Sequence, residues 1–338
     1  MIQARLQALI DAFKGSERVL IVPHNDPDPD AIASALALRT ILEETIDAEV
    51  TIGYLGIIGR SENKALVRYL GHPMRHIAHS DWQSSAIALV DCQPGSGNNP
   101  IPAGRPIAAV IDHHEAPTGA YKADFIDLRD DIGATATILG AYLRAAGLEP
   151  NIPLATALFY AIKTDTMGLA RGASQADIDM YFYLQPLIDV EALAEIERAL
   201  VPAAYFRSLV GFLRSARLYD SALIACVGKM EYPDLAAEIA DLLLRLQGTR
   251  WVTCSGIYKG ELVLSVRTRS KRYSAERMVL EIVQDRGAAG GHGSMAAGHI
   301  PLEGQDPQTL QEDIRQGVLH FLEQPVDDPG EPLLAPPT

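Results

Sequence analysis

The stretch over residues 19–34, VLIVPHNDPDPDAIAS, joins an apolar run to a loop rich in carboxylates and then to a helical pattern. Residues 19–22 are all branched and apolar, which is typical of a strand buried on both faces. Pro27 and Pro29 favour extended backbone in the residues before them, so the helix is predicted to begin near residue 31. In an open α/β sheet, ligands bind in the loops at the carboxyl ends of the strands. The stretch therefore predicts a strand, a binding loop and a helix.

Four ionisable side chains follow this strand within seven positions: His24, Asp26, Asp28 and Asp30. Crowded carboxylates repel one another unless a cation lies among them. A divalent metal is the simplest such cation, and mixed His and Asp ligands suit manganese, iron or zinc. The alternative is an Asp-rich turn that caps the following helix, with Asp30 as the candidate cap residue. Because a cap accounts for one Asp only, the loop favours a metal site.

Two further apolar strands, predicted over residues 86–90 and 107–111, end in residues of the same kind. Strands alternate with helices along this half of the chain, which predicts an α/β fold with a doubly wound parallel sheet. The carboxyl ends of parallel strands meet at one edge of the sheet, so separate positions are predicted to converge on one site. The side chains that follow the two strands are Asp91, and then Asp112, His113 and His114.

A basic cluster lies in the second half of the chain, where Arg267, Arg269, Lys271 and Arg272 fall within six positions at the end of a predicted strand. Arginine forks suit a phosphate or a carboxylate, and the cluster is conspicuous in an acidic chain. The alternative is a run of solvated charges at a strand edge. The sequence leaves both open.

A glycine-rich segment over residues 287–299, GAAGGHGSMAAGH, follows the basic cluster. Gly290 and Gly291 would let the backbone approach a ligand closely, and His292 follows them directly. A glycine turn alone is weak support for a site, but a histidine inside it near an arginine cluster favours ligand binding.

The composition limits the class of protein. The 338 residues carry a net charge of −14, which disfavours a long nucleic-acid groove because such a groove needs a wide basic face. The three widely spaced cysteines predict reduced thiols. No apolar run approaches the length of a membrane span, and residues 1–19 read as an amphipathic helix rather than a signal peptide, so a cytoplasmic protein without membrane contact is expected.

The fold class expected is α/β with two domains, a doubly wound parallel-sheet domain followed by a smaller α/β domain. The tail is rich in proline, which predicts disorder. The predicted divisions are a metal-binding catalytic domain over residues 1–187, a helical connector over 188–220, a substrate-binding domain over 221–324 and a disordered tail over 325–338.

Taken together, these motifs resemble those of the DHH phosphoesterases, and the resemblance extends over roughly residues 15–323. The sequence Asp-His-His at 112–114 matches the motif that gives the family its name, and HNDPDPD at 24–30 matches its first motif. Asp91 matches the second motif and Asp165 the fourth. GGH at 290–292 with AAG at 296–298 looks like the signature of the DHH-associated C-terminal domain.

The resemblance implies two α/β domains with a cleft between them and two divalent ions, expected to be Mn²⁺, in the first. Asp91 would bridge the ions, His114 would face the substrate phosphate, and Asp112 would orient this pair. The implied metal ligands are His24, Asp28 and Asp91 for one ion, and Asp30, Asp91, His113 and Asp165 for the other. The implied binding residues for the far end of the substrate are Arg267, Arg269, Gly290, Gly291 and His292.

Within the family, length and domain content favour the compact nanoRNase or pAp-phosphatase type, which acts on short oligonucleotides or 3′-phosphoadenosine 5′-phosphate. The residues after Asp165, Thr-Met-Gly-Leu at 166–169, depart from the Gly-Arg-Phe usual in that type. The alternatives are a phosphodiesterase for cyclic dinucleotides or another small phosphate ester, and a non-catalytic nucleotide sensor. The expected partner is a small nucleotide, and a homodimer is compatible with the sequence.

Overall fold

The structure is a computed structural model that describes residues 2–95, 98–99, 101–115 and 121–334, except the side chains of Ser84 and His292. The chain divides into two compact units, Met1–Ala199 and Leu200–Thr338. The predicted connector over residues 188–220 is shared between the two units.

The first unit contains a parallel sheet with helices around it. Its strands, within the described residues, are β1 (Arg18–Pro23), β2 (Glu49–Tyr54), β3 (Arg75–His76), β4 (Ala86–Val90), β5 (Ala109–Asp112) and β6 (Phe125–Leu128). Its helices are α1 (Ile2–Asp11), α2 (Pro29–Thr45), α3 (Ser61–Tyr69), α4 (His79–Ser84), α5 (Thr135–Ala145), α6 (Ile152–Asp165), α7 (Gln175–Leu184) and α8 (Val190–Glu197).

The strand order of this sheet, β3-β2-β1-β4-β5-β6, determines where a ligand can bind. The chain runs outward from β1 to β3 on one side and then returns to β4 on the other side of β1. All the pairs are parallel, with Val19 opposite Val50 in β2 and opposite Ala86 in β4. The order therefore reverses between β1 and β4, and the crevice beyond their carboxyl ends is the position at which open α/β sheets bind ligands.

The core of the first unit explains why β1 is continuously apolar. Its residues 19–22 are at most 1% exposed, because Val19 and Ile21 pack into one hydrophobic cluster while Leu20 and Val22, on the other face, pack into a second. Helix α2 packs against α5 and α6 as well as the sheet, and its residues from Pro29 to Leu38 are all buried. The carboxylate-rich loop between β1 and α2 is thus held between two buried elements, which fixes its position.

The second unit contains a sheet of mixed direction. Its strands, within the described residues, are β7 (Arg217–Tyr219), β8 (Ala222–Lys229), β9 (Trp251–Tyr258), β10 (Glu261–Thr268), β11 (Ala288–His292), β12 (Met295–Pro301) and β13 (Glu331–Pro332). Its helices are α9 (Ala203–Ser215), α10 (Leu235–Leu243), α11 (Ala275–Val283) and α12 (Pro307–Phe321). The order is β11-β12-β10-β9-β8-β7-β13, and only β8 and β9 pair in parallel among these strands.

The fold class predicted from the sequence is confirmed, but some elements differ from the prediction. The connector predicted to be helical over residues 188–220 is not helical throughout, because α9 ends at Ser215, Ala216 is extended and β7 begins at Arg217. Strand β6 and helix α4 were not predicted, and the glycine-rich segment, predicted as a bend, is a hairpin of β11 and β12. The tail predicted to be disordered includes β13, which pairs with β7.

Among the described residues, no helix has both the length and the apolar character that crossing a membrane would require.

Candidate metal centre

Three of the predicted ligands lie between the end of β1 and the first turn of α2. Asp28 is the N-cap of α2, since its Oδ1 accepts a hydrogen bond from Ala31 N at 3.0 Å, and Pro29 takes the first helical position. The prediction that Asp30 caps this helix is wrong. Asp30 lies inside the first turn, fully buried, because its carboxylate turns towards another helix. His24, at the end of β1, keeps its side chain 15% exposed.

Asp91 follows β4 directly and adopts a left-handed backbone conformation with φ +57°. Asp tolerates this conformation better than most residues, which allows a sharp turn at the strand end. The Asp91 N–H donates to Ile111 O at 2.9 Å, so the turn stays attached to the neighbouring strand β5. The side chain is 2% exposed and points into the crevice between β1 and β4.

The Asp-His-His sequence ends β5, and Asp112 organises the two histidines. Asp112 Oδ1 accepts hydrogen bonds from His113 N at 2.8 Å and from His114 Nδ1 at 2.8 Å. Asp112 Oδ2 accepts from Gln93 Nε2 at 2.8 Å. Asp112 is 1% exposed, so this carboxylate is occupied with holding the loop rather than with a metal ion.

Asp165, the last residue of α6, completes the group. Its backbone carbonyl accepts a hydrogen bond from Arg171 Nη2 at 2.8 Å. The loop between them returns through three consecutive left-handed residues, Met167, Gly168 and Leu169. Residues 166–169, which depart from the family pattern, therefore form a tight loop that brings Arg171 next to the end of α6.

Two sets of ligand atoms result from this convergence, and Asp91 belongs to both. In the first set, His24 Nε2 lies 3.6 Å from Asp28 Oδ1 and 3.6 Å from Asp91 Oδ2. Ligands that share an ion at about 2.0–2.2 Å lie about 3–4 Å apart, so this spacing fits one divalent metal.

The second set is centred on His113. Its Nε2 lies 3.7 Å from Asp91 Oδ1, 3.5 Å from Asp165 Oδ2 and 4.0 Å from Asp30 Oδ2. The two oxygens of Asp91 therefore face two different histidines, which is the geometry of a bridging carboxylate. The structure thus brings together all six predicted metal ligands: His24, Asp28, Asp30, Asp91, His113 and Asp165.

Hydrogen bonds at Nδ1 select the tautomer of the histidines in both sets. His24 Nδ1 lies 2.7 Å from Asn25 O, and His113 Nδ1 lies 3.2 Å from Ile132 O. A carbonyl only accepts, so each Nδ1 carries a proton, and each ring in its neutral form presents a lone pair at Nε2. His113 Nε2 is buried and has no hydrogen-bond partner among the described residues. An orphaned buried acceptor that faces three carboxylates fits a metal ion.

Electrostatics support the same interpretation. Burial, followed by the charge of Asp91, raises the pKa of Asp30 to about 8, and burial together with the charge of Asp28 raises the pKa of Asp91 to about 6. Burial also raises the pKa of Asp165 well above its usual range, with the charges of Asp30 and Asp28 adding to the effect. Burial acts to lower the pKa of His24, but the hydrogen bond and charge of Asp28 outweigh it and raise that pKa to about 10. The cluster therefore binds positive charge, as protons or as metal ions.

His114 differs from the other two histidines. Its Nδ1 lies 3.8 Å from Asp91 Oδ1, within range of a metal set, but its hydrogen bond to Asp112 occupies that nitrogen. Burial acts to lower its pKa, but the hydrogen bond to Asp112 and the charge of Asp91 outweigh this and raise the pKa to about 9. The side chain is 41% exposed. His114 therefore presents a cationic ring to solvent at the edge of the cluster.

Sequence reasoning missed the residues that hold these ligands. The N-terminus of α5 contacts two of them: Thr135 N and Ala136 N donate to Asp30 at 2.7 and 2.8 Å, and Thr135 Oγ1 donates to Asp91 Oδ1 at 2.9 Å. Gln93 was also missed. The only signal was a threonine at the start of a helical pattern, which by itself predicts no such contact.

In the second unit, the structure gives Arg267 an internal partner. Its Nε donates to Asp241 Oδ1 at 2.6 Å and its Nη1 donates to Ser265 Oγ at 2.9 Å, and the residue is 8% exposed. Arg267, predicted to bind the far end of the substrate, is thus nearly buried with its guanidinium bonded to Asp241. Arg269, just after β10, is exposed.

The hairpin of β11 and β12 explains why one of the predicted positions, residue 291, is a glycine. Gly291 has φ +156°, and a Cβ there would lie 2.4 Å from Ala296 Cα and 2.4 Å from Met295 O. A Cβ on Gly290 would meet nothing within 4 Å. The side chain of His292, the third predicted member of this segment, lies outside the described part of the chain.

Comparison with known proteins agrees with this geometry. Residues 18–162 match the model of the DHH family's N-terminal domain. The chain is 35% identical over 288 residues to an uncharacterized protein of Methanocaldococcus jannaschii, which covers 84% of this chain and 58% of that protein. It is 27% identical over 150 residues to a probable manganese-dependent inorganic pyrophosphatase of Staphylococcus saprophyticus, covering 44% of this chain and 48% of the relative. The chain thus spans about half the length of these curated relatives.

Solved structures share the fold. An exopolyphosphatase-related protein from Bacteroides fragilis matches with a TM-score of 0.72 and 14% identity, over 94% of this chain and 96% of that one. RecJ from Thermus thermophilus matches with a TM-score of 0.52 and 15% identity, over 96% of this chain and 52% of that one. Residues 18–162 of this chain thus match the model of the DHH family's N-terminal domain, and the ligand sets and the strand order agree with that match.

Proposed function

We propose that this chain is a two-metal phosphoesterase that hydrolyses short oligonucleotides or 3′-phosphoadenosine 5′-phosphate. The observation that carries the proposal is the position of Asp91, whose two carboxylate oxygens face His24 and His113 separately. A carboxylate shared in this way places two ions close together, and paired ions are suited to in-line displacement at phosphorus.

The ligand chemistry favours manganese for these ions. Each set combines one neutral imidazole with carboxylates, a mixture that suits Mn²⁺ better than a site made of thiolates. The relatives from Staphylococcus are named as manganese-dependent enzymes. When bound, the ions would activate a water molecule and offset the charge that develops on the phosphate.

His114 is the residue that this chain contributes to the substrate. Its Nδ1 is held by Asp112, and its side chain is 41% exposed at the edge of the cluster. A cationic donor beside the metal cluster suits a phosphate oxygen of the substrate. We assign Asp112 the role of keeping His114 charged and oriented.

The charge of the chain supports a short substrate. A net charge of −14 disfavours the long basic surface that a long nucleic acid needs. A short phosphate ester needs only the metal ions and a local cation. Among the predicted residues of the second unit, Arg269 is exposed and Arg267 is paired with Asp241. We therefore propose Arg269, with the backbone of Gly290 and Gly291, as the contact for the far end of the substrate.

The test is hydrolysis by purified protein, stripped with a chelator and reloaded with Mn²⁺, against a panel of substrates. The panel contains di- to pentanucleotides, long single strands, 3′-phosphoadenosine 5′-phosphate, cyclic dinucleotides and pyrophosphate. We expect Mn²⁺-dependent turnover that is fastest on the short oligonucleotides or on 3′-phosphoadenosine 5′-phosphate. Faster turnover of cyclic dinucleotides or of pyrophosphate would move the substrate assignment to those esters or anhydrides.

A matched pair of variants separates the metal site from general damage to its loop. Asp28→Asn removes a ligand charge, whereas Asp26→Asn changes a neighbour that accepts from Ile57 N and belongs to neither ligand set. We expect loss of turnover in the first variant only. Tight nucleotide binding without turnover of any substrate would support the sensor function and contradict the enzyme.

A further inference from the structure

One short segment, residues 132–136, contacts most of the second ligand set. Ile132 O accepts from His113 Nδ1 at 3.2 Å, and the amides of Thr135 and Ala136 donate to the two oxygens of Asp30. Thr135 is the only residue of the segment whose side chain takes part. Its Oγ1 donates to Asp91 Oδ1 at 2.9 Å, and that oxygen is the one that faces His113.

Two members of the first ligand set, His24 and Asp28, are held differently, by contacts within their own loop. His24 Nδ1 lies 2.7 Å from the carbonyl of the next residue, Asn25, and Asp28 Oδ1 accepts from Ala31 N at 3.0 Å. Neither contact involves residues 132–136. The two sets therefore share Asp91 and its hydrogen bond to Thr135, but their other supports are separate.

The buried carboxylate of Asp177 holds residues 132–136 in place. Asp177 Oδ2 accepts from Gly133 N at 2.8 Å, and Asp177 Oδ1 accepts from Thr137 Oγ1 at 2.6 Å. A Cβ on Gly133 would lie 2.7 Å from Thr166 Cγ2 and 3.1 Å from Asp177 Oδ2, so the segment is closely packed. Its register along α5 is thereby set, and with it the position of the Thr135 hydroxyl.

We infer that Thr135 is a positioning residue that acts more strongly on one of the two ions, the ion held by Asp30, Asp91, His113 and Asp165. The inference rests on the two-metal function proposed above. The Thr135 hydroxyl donates to Asp91 Oδ1, so it orients the Asp91 carboxylate at the oxygen that lies 3.7 Å from His113 Nε2. Groups that orient metal ligands in this way typically change metal affinity about 10–100-fold when they are removed.

The experiment is a calorimetric titration of metal-free protein with Mn²⁺, with free Mn²⁺ counted by electron paramagnetic resonance. The variant Thr135→Val keeps the side-chain shape and removes the hydroxyl, and Thr135→Ser retains the hydroxyl. Thr156→Val is the matched control, since Thr156 is a fully buried threonine that accepts from Asp189 N and is absent from both ligand sets.

We expect the wild type to bind two ions, and we expect Thr135→Val to weaken one of them about tenfold or more while weakening the other clearly less. Thr135→Ser should restore both affinities, and Thr156→Val should lose thermal stability without losing metal affinity. A structural role alone would not produce loss at one ion with rescue by serine.

The inference would be contradicted if Thr135→Val bound both ions as tightly as the wild type, or if it weakened both ions equally. In either case, binding of two ions by the wild type would still support the proposed function. Fewer than two ions in the wild type would contradict the proposed function as well. If Thr135→Val does not fold, Thr135→Ala provides the same titration with less steric demand, and the same outcomes decide it.

Discussion

Asp112 Oδ1 accepts a hydrogen bond from His114 Nδ1 at 2.8 Å, and the opposite oxygen of Asp112 accepts from Gln93 at the same distance. The carboxylate is therefore fixed on one side while it holds the imidazolium on the other. Because Asp112 raises the pKa of His114, replacing it should lower that pKa and reduce the protonated fraction of His114 as the pH rises.

Asp112→Asn should consequently lower kcat/KM about ten- to a hundred-fold, the usual cost of one charge-assisted hydrogen bond. The loss should be greater at pH 8 than at pH 6, which a pH profile of kcat/KM would measure. Bound Mn²⁺ should stay at the wild-type level, since Asp112 is not a ligand. An equal loss at both pH values would contradict the proposed charge on His114.

The stability of the metal-free protein should depend on pH. The pKa of His24 rises from 6.5 to about 10 and that of Asp30 from 3.8 to about 8, so the native state binds more protons than the unfolded state over both ranges. The free energy of unfolding should therefore fall as the pH rises from 6.5 to 8, where the two ranges overlap. Bound Mn²⁺ replaces these protons, so the Tm difference between loaded and metal-free protein should widen across this range. A metal-free Tm that rises with pH there would contradict this account of the cluster.

Arg267 and Arg269 should separate stability from substrate binding. Arg267→Ala removes a buried side chain and leaves Asp241 without its partner, so a loss of about 1–3 kcal/mol in unfolding free energy is expected. Arg269→Ala should leave stability and metal content unchanged but raise KM for oligonucleotides, while hydrolysis of bis-p-nitrophenyl phosphate changes little. Thermal melts and kinetics on both substrates check this pair. The reverse pattern, with Arg269→Ala unstable or Arg267→Ala altering KM alone, would contradict the assignment.

Gly291 and Gly290 form a second matched pair, in the hairpin of β11 and β12. Gly291→Ala would force a Cβ to within 2.4 Å of the backbone of Met295 and Ala296, and overpacking of this kind costs about 1–3 kcal/mol. Gly290→Ala meets open space and should change the unfolding free energy by less than about 0.5 kcal/mol. Denaturant melts of both variants measure the difference. Equal stability of the two would contradict the close approach of the strands at Gly291.

The convergence of the candidate ligands could be predicted, because most of them follow an apolar strand and buried parallel strands are recognisable as continuous apolar runs. The residues that hold these ligands through hydrogen bonds were not predictable in the same way. Thr135 reaches Asp91 across 44 positions and Asp30 across 105, and no local pattern reports a contact of that range. Arg267 reaches Asp241 across 26 positions for the same reason.

The local sequence also could not predict which of two similar residues takes the N-cap position of α2. Asp28 and Asp30 are both suited to an N-cap, and only the packing of α2 against α5 decides that Asp30 turns away. The segment of β11 consists of alanine, glycine and one histidine, which lack the β-branched and aromatic residues that identify a strand. Its pairing with β12 therefore becomes visible only in the folded sheet.

The central claim is that Asp91 bridges two metal ions, and the number of Mn²⁺ ions bound by Asp91→Ala tests it most directly. The measurement is equilibrium dialysis of wild type, Asp91→Ala and the control Asp26→Asn with metal analysis of the protein fraction. We expect two ions per chain in the wild type and in Asp26→Asn, and loss of both ions in Asp91→Ala, because each ion loses a shared ligand. Retention of two ions by a folded Asp91→Ala, or loss of one ion alone, would contradict the bridge.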